Sequence, residues 1–237
     1  MTILFWDIDG TLLTTAKAGV PAWETAVLEL TGKPFELSSI RVPGLTDYQI
    51  AVRTFELLGI QADDALIGRL VARYEQLLPS TLPTRQGRVL PHVREILDRC
   101  LDCVDVRSYL LTGNTRGGAR AKLTHYDLWR YFPDGAFAED RRPRSTIAER
   151  GLTLARRDGH VAQDRVFVIG DTPHDVECAN AIGARTIAVA TGGYSESELQ
   201  EHNPWRVFAE LPGPEIFLAL VGVLEPSRPL ASPHLEG

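Results

Sequence analysis

Three apolar runs in this chain stop abruptly at small polar and acidic residues, and that pattern constrains the fold more than any other feature. Thr2–Trp6 runs into Asp7-Ile-Asp9-Gly10-Thr11-Leu12, Val106–Leu111 runs into Thr112-Gly113-Asn114, and Arg165–Ile169 runs into Gly170-Asp171-Thr-Pro-His-Asp175. Runs this short and this continuously apolar read as strands covered on both faces. Strands are expected over 2–8, 106–112, 165–171 and 185–190, with short ones near 136–138 and 205–208. Between them, helical spacing is expected over 92–102, 115–124, 145–157, 174–182, 195–201 and 214–222. Strand and helix in alternation imply an α/β fold with a parallel sheet, whose ligands sit beyond the carboxyl ends of the strands.

Residues 15–85 break that alternation. Val20, Trp23, Val27 and Leu30 recur at helical spacing, as do Ile50, Ala51, Phe55 and Leu58, and then Leu66, Leu70 and Tyr74. Asp47 and Asp63 stand where helix caps belong, and Pro43-Gly44 marks a break. The expected organisation is a core domain of residues 1–14 and 86–224, an inserted all-helical domain of residues 15–85, and a flexible tail from 225 to 237 that carries three prolines.

Charge and cysteine usage narrow the function classes. The formal net charge of −6 argues against a nucleic-acid surface, which needs clustered Lys and Arg. No stretch approaches about 18 uninterrupted apolar residues, so no membrane span is expected. The apolar start has no basic leader, and Cys100, Cys103 and Cys178 do not form a disulfide framework. Cys100 and Cys103 read as small apolar residues of a helix, since no second pair or nearby His completes a metal set. A cytoplasmic protein is expected; the oligomeric state is not legible.

Strand ends on one edge of a parallel sheet converge, so Asp7, Asp9, Thr112, Asp171 and Asp175 are expected to share one site. Crowded carboxylates repel one another and call for a cation; one or two carboxylates plus a substrate phosphate suit Mg²⁺. Thr112, the N–H groups after it and an Arg or Lys would then hold phosphate oxygens. Such a set fits phosphoryl transfer, which depends on positioning and charge neutralisation.

Asp7-Ile-Asp9-Gly10-Thr11-Leu12 resembles the first motif (DxDGT) of haloacid dehalogenase superfamily phosphatases. Leu110-Leu-Thr112-Gly-Asn resembles the second and Gly170-Asp171-Thr-Pro-His-Asp175 the fourth. Four fixed letters of the first kind arise by chance in on the order of one such chain in a thousand, and three motifs in order make coincidence remote. The resemblance implies a Rossmann-like core, with residues 15–85 as a helical cap like that of the phosphoglycolate phosphatase and β-phosphoglucomutase branches. It implies Asp7 as nucleophile, Asp9 as general acid and then base, and Thr112, Gly113 and Asn114 toward the phosphoryl group. Mg²⁺ is implied on Asp7, the Asp9 main-chain carbonyl and Asp171, with Asp175 in support. Gly44 and Asp47 lie where relatives present a cap loop to substrate, although a turn and a helix cap explain them equally well.

The third motif departs from the usual Lys. In Glu139-Asp140-Arg141-Arg142-Pro143-Arg144, Arg142 holds the Lys-Pro position, while Arg144 matches relatives with an Arg shortly after an acidic pair. Arg144 is the preferred candidate, and it would bind two phosphoryl oxygens at once. The expected activity is Mg²⁺-dependent hydrolysis of a small phosphorylated metabolite. A phosphomutase shares the same motifs. A dehalogenase is disfavoured by Asp9, and a non-catalytic phosphometabolite-binding module by the joint presence of Asp7, Asp9, Thr112 and Asp171.

Overall fold

The computed structural model describes residues 1–223 apart from 158 and 160, so the expected tail lies outside the described residues. Six strands form one parallel sheet in the order β5-β4-β1-β6-β7-β8. They are β1 (Thr2–Trp6), β4 (Val106–Leu111), β5 (Gly135–Ala136), β6 (Val166–Gly170), β7 (Arg185–Val189) and β8 (Arg206–Phe208). A separate antiparallel ribbon joins β2 (Leu13–Thr14) to β3 (Arg88–Val89). With two residues per strand, it carries no periodicity that sequence could reveal.

The central strands are mostly apolar because each face meets its own layer; in β4 only Arg107 and Ser108 break the run. Leu4, Trp6, Leu110, Phe167 and Ile169 point to one cluster, and Ile3, Phe5, Tyr109, Leu111, Val166 and Val168 to the other. The first face is covered by α4 (Val93–Leu101), α5 (Arg116–His125) and α9 (Pro214–Leu220), the second by α6 (Arg144–Arg157) and α7 (Pro173–Ala181). Helix α8 (Glu196–Gln200) precedes the edge strand β8.

Between the two ribbon strands lie α1 (Gly19–Thr31), α2 (Asp47–Leu57) and α3 (Asp64–Thr81), with a 3₁₀ turn at Leu37–Ser39. They bury a core of their own around Trp23, Phe55, Leu70 and Tyr74. Trp23 packs edge-on to Tyr74 with ring centroids 5.1 Å apart, and its Nε1 donates to Thr54 Oγ1 at 3.2 Å. The expected cap at Asp47 is corrected to Thr46: its Oγ1 accepts the Gln49 N–H while the Gln49 side chain accepts the Thr46 N–H. Asp63 caps α3 through the Leu66 N–H. With Thr46 as the cap, the Asp47 carboxylate is free to reach outside its own helix.

Register places the site. Trp6 pairs with Leu110 on one side and Ile169 on the other, so the residues that follow all three strands emerge side by side. From β1 the chain runs to β4 and β5 on one flank and then returns to β6 on the other, which opens a crevice at that edge. No described helix is long and apolar enough to cross a membrane. Cys100, Cys103 and Cys178 are free thiols. Leu70 is fully buried within the helical unit, so Leu70→Ala should cost about 2–5 kcal/mol, read as a lowered denaturant midpoint.

Candidate active site

Asp7 is the first residue past β1 and is tied to β6 by its own N–H, which donates to Ile169 O at 3.0 Å. Gly10 follows with φ +81°, and a Cβ there would collide with the Asp171 carboxylate. The sharp exit from β1 therefore needs glycine for both its backbone angle and its space. Thr11 Oγ1 donates to Asp171 Oδ1 at 3.3 Å. Asp175 belongs to the N-terminal capping box of α7, where its Oδ2 accepts from Thr172 N at 3.0 Å and Thr172 Oγ1 at 2.7 Å. One oxygen each from Asp7, Asp171 and Asp175 lies within 4.8 Å of the others, and all three residues are buried.

Arg144, at the start of α6, faces this trio. Its Nη2 lies 2.6 Å from Asp175 Oδ1 and 3.2 Å from Asp7 Oδ1, and its side chain is 6% exposed. Arg142 is instead paired with Asp140 and 60% exposed, while Arg141 reaches Asp64 on α3 at 2.6 Å. Of the arginine run, only Arg144 turns inward.

The Asp9 carboxylate does not join the trio. Its Oδ2 accepts from Lys122 Nζ at 2.5 Å and from Asn114 Nδ2 at 3.0 Å. Asn114 Nδ2 also donates to Thr112 Oγ1 at 2.8 Å, and the Thr112 side chain hydrogen-bonds Asp7. The main-chain N–H groups after Thr112 are partly committed. That of Asn114 donates to Thr112 Oγ1 at 3.3 Å and that of Thr115 to Asp47 Oδ2 at 2.8 Å.

The helical unit closes over this edge. Asp47 N donates to Gly113 O at 2.9 Å, and a Cβ on Gly113 would lie 2.7 Å from Leu45 O. Gly44 O accepts from Arg144 Nη1 at 3.3 Å, and Gly44 has φ +85° beside the His174 ring. Gly44 thus meets the site through its main chain.

Two residues of this neighbourhood were not singled out by sequence: Lys122 and Tyr74. Lys122 is a cation on the buried stripe of α5 beside Gly118, Ala119 and Leu123, and that position was the available signal. Burial alone would push its pKa down, but Asp9, Tyr74 and Asp47 outweigh burial and hold it up.

The electrostatics call for a cation. Burial raises Asp7 to about 6; Arg144 opposes the rise and Asp175 adds to it. Asp171 is pushed well above the usual carboxylate range by burial, then by Asp7 and Asp175, against Arg144. One guanidinium does not balance three buried carboxylates, and a hard divalent ion bound by oxygen fits the deficit.

With this geometry in hand, the comparisons are specific. A HAD-hydrolase-like family model matches residues 141–213, the stretch holding Arg144, Asp171 and Asp175. "Probable phosphatase IndB" of Dickeya dadantii is 27% identical over 206 residues, covering 85% of this chain and 86% of that one. The solved structure of a hydrolase from Pseudomonas syringae superposes with a TM-score of 0.68 at 21% identity, covering 94% of this chain and 98% of that one. CbbY from Rhodobacter sphaeroides in complex with phosphate gives 0.69 at 15% identity, covering 89% and 95%. The chain is thus similar to HAD-like hydrolases, by the family model over residues 141–213 and by fold over most of its length.

Asp47 supplies a stability test independent of turnover. Burial raises its pKa to about 6, with Lys122 and the Thr115 N–H opposing. A carboxyl raised on folding contributes stability that is present at low pH and lost as pH climbs through its folded pKa. Asp47→Asn keeps an acceptor for Thr115 and removes that loss. Relative to wild type, the variant should gain about 2 kcal/mol between pH 4.5 and 7.5. Denaturant melts at both pH values read this directly, and a pH-independent difference would refute it.

Proposed function

We propose that this protein is a Mg²⁺-dependent phosphatase that hydrolyses a small phosphomonoester through an aspartyl-phosphate on Asp7. The observation that carries the reading is the division of labour between two aspartates one residue apart. Asp7 is buried against Arg144 and Thr112, whereas Asp9 is held away from it with its side chain 42% exposed. A nucleophile needs the first environment and an acid/base that meets a leaving group and water needs the second.

In this reading an Asp7 oxygen attacks phosphorus while the ester P–O bond breaks, and Asp9 gives its proton to the departing oxygen. Water then attacks the aspartyl-phosphate, Asp9 takes the proton from that water, and Asp7 is released with inorganic phosphate. Arg144 and the Thr112 hydroxyl hold phosphoryl oxygens and match the charge spread over them. Asp7, Asp171 and the Asp9 main-chain carbonyl would hold the metal, with Asp175 fixing Arg144 beside them. When bound, Mg²⁺ supplies the positive charge that lets a buried carboxylate approach a phosphate dianion.

Residues 15–85 act as the cap, and Gly44 and Gly113, packed at its contact with the core, shape the phosphate end of the pocket. The exposure of Asp9 favours hydrolysis over mutase chemistry, because a mutase must keep water from the same intermediate. The free thiols of Cys100, Cys103 and Cys178 support action in a reducing compartment, the cytoplasm, on a small phosphorylated metabolite.

Wild-type protein with Mg²⁺ should release phosphate from p-nitrophenyl phosphate. EDTA should abolish release, Mg²⁺ should restore it, and Ca²⁺ should restore little, because it prefers more ligands at longer distances. Asp7→Asn should lower kcat by about a thousandfold or more with the fold intact. A hexose 1-phosphate isomerised without phosphate release would assign the mutase instead.

Arg144→Ala should lower kcat by roughly a hundredfold or more, since it removes a charge aimed at the phosphoryl group. Arg142→Ala should change kcat by less than about twofold, as expected for an exposed pair. Equal losses in the two variants would reverse the assignment.

A further inference from the structure

Lys122 is a buried cation that the reaction sequence above does not use. Its Nζ is bonded to Asp9 Oδ2 at 2.5 Å and donates to Asn114 Oδ1 at 2.6 Å. Its side chain is 7% exposed against 42% for Asp9. The ammonium is therefore buried while the acid/base it holds is partly exposed. A group so placed does not meet substrate. It acts, if at all, through Asp9.

Resting on the phosphatase reading, we infer that Lys122 is a positioning residue that fixes the carboxylate of Asp9. The anchor works twice. Directly, a charge-assisted bond holds Oδ2, so the remaining oxygen of Asp9 is the one turned to the leaving group. Indirectly, Lys122 takes the Asn114 carbonyl oxygen and so sets which way that amide faces. The Asn114 Nδ2 is then directed to Asp9 Oδ2 and Thr112 Oγ1. The Asp9 carboxylate already favours this amide orientation, since a flip would set Asn114 Oδ1 against Asp9 Oδ2, and the ammonium locks it from the other end. A half-exposed aspartate with one neutral donor would sample several rotamers.

Asp47 and Tyr74 also face Lys122, so the residue could serve only as a brace between helical unit and core. Kinetics separate the two roles. Lys122→Met should lower kcat by about ten- to a hundredfold on a simple alkyl phosphate, with KM changed less than about threefold. The loss should be smaller on p-nitrophenyl phosphate, whose leaving group needs little protonation. Placed on top of Asp9→Asn, Lys122→Met should cost almost nothing more, because the residue it positions is already disabled. Losses that multiply, or fall on KM, would overturn the inference. Should the methionine variant not fold, Lys122→Gln, which keeps a donor on a shorter stem, carries the same comparison with a smaller expected loss.

A crystal structure of the folded variant reads the positioning without turnover. Asp9 and Asn114 should leave the orientations described here, and an unmoved Asp9 carboxylate would overturn the inference whatever the kinetics. Failure of wild type to release phosphate from any ester would sink the phosphatase reading instead, and the crystal structure would still decide whether Lys122 anchors Asp9.

Discussion

Three buried carboxylates held within 4.8 Å of one another, two of them paired to a single guanidinium, are the constraint on which the rest of this molecule turns. Like charges this close repel, and burial already lifts Asp7 and Asp171. The fold overrides that repulsion with the central sheet. Asp7 and Asp171 follow strands paired along their whole length, and Asp175 is fastened by the capping box of α7. The hydrophobic layers on both faces thus supply the free energy that keeps like charges together. The charge surplus is the property a phosphatase exploits, because it leaves room for a divalent ion and then for a phosphate.

Arg144 shows how finely that surplus is balanced. Burial works against its charge, and Asp175 and then Asp7 restore it. It is shared between a carboxylate that never reacts and one proposed to do so. Asp175 therefore holds the guanidinium beside Asp7. The three arginines of the run meet different fates for a geometric reason. Arg144 begins α6, whose apolar face packs on β4 and β5, and a helix start beside the sheet edge points its side chain at the strand ends. Arg141 and Arg142 sit in the preceding loop, where solvent and local carboxylates claim them.

Much of this was legible in the amino-acid sequence because strand ends announce themselves. A mostly apolar run that stops at small polar or acidic residues admits few structural meanings, and all three central strands were found that way. The parts that escaped were those decided by tertiary contact. The ribbon of β2 and β3 is too short to show a period. Asp47 read as a helix cap because caps and buried acceptors use the same residue types, and only the neighbouring Thr46 and Gln49 settle which it is. Lys122 was hidden in a helix rich in basic residues, where a cation ordinarily means a solvated face. Its burial follows from Asp9, 113 positions earlier, and no local window contains both.

The contact between helical unit and core follows from the same need to place donors. The loop from Gly44 to Asp47 offers acceptors, a main-chain carbonyl to Arg144 and a carboxylate to the Thr115 N–H at the start of α5. Around it, Arg41 stacks over Tyr194 and Arg141 pairs with Asp64, both near the surface and individually weak. Beside these polar bonds, Ala121 and Tyr126 pack on the helical cluster and Tyr48 on the sheet cluster, while α1, α2 and α3 keep a core of their own. The helical unit and the sheet are thereby separately packed parts of one chain, joined through the short ribbon at residues 13–14 and 88–89.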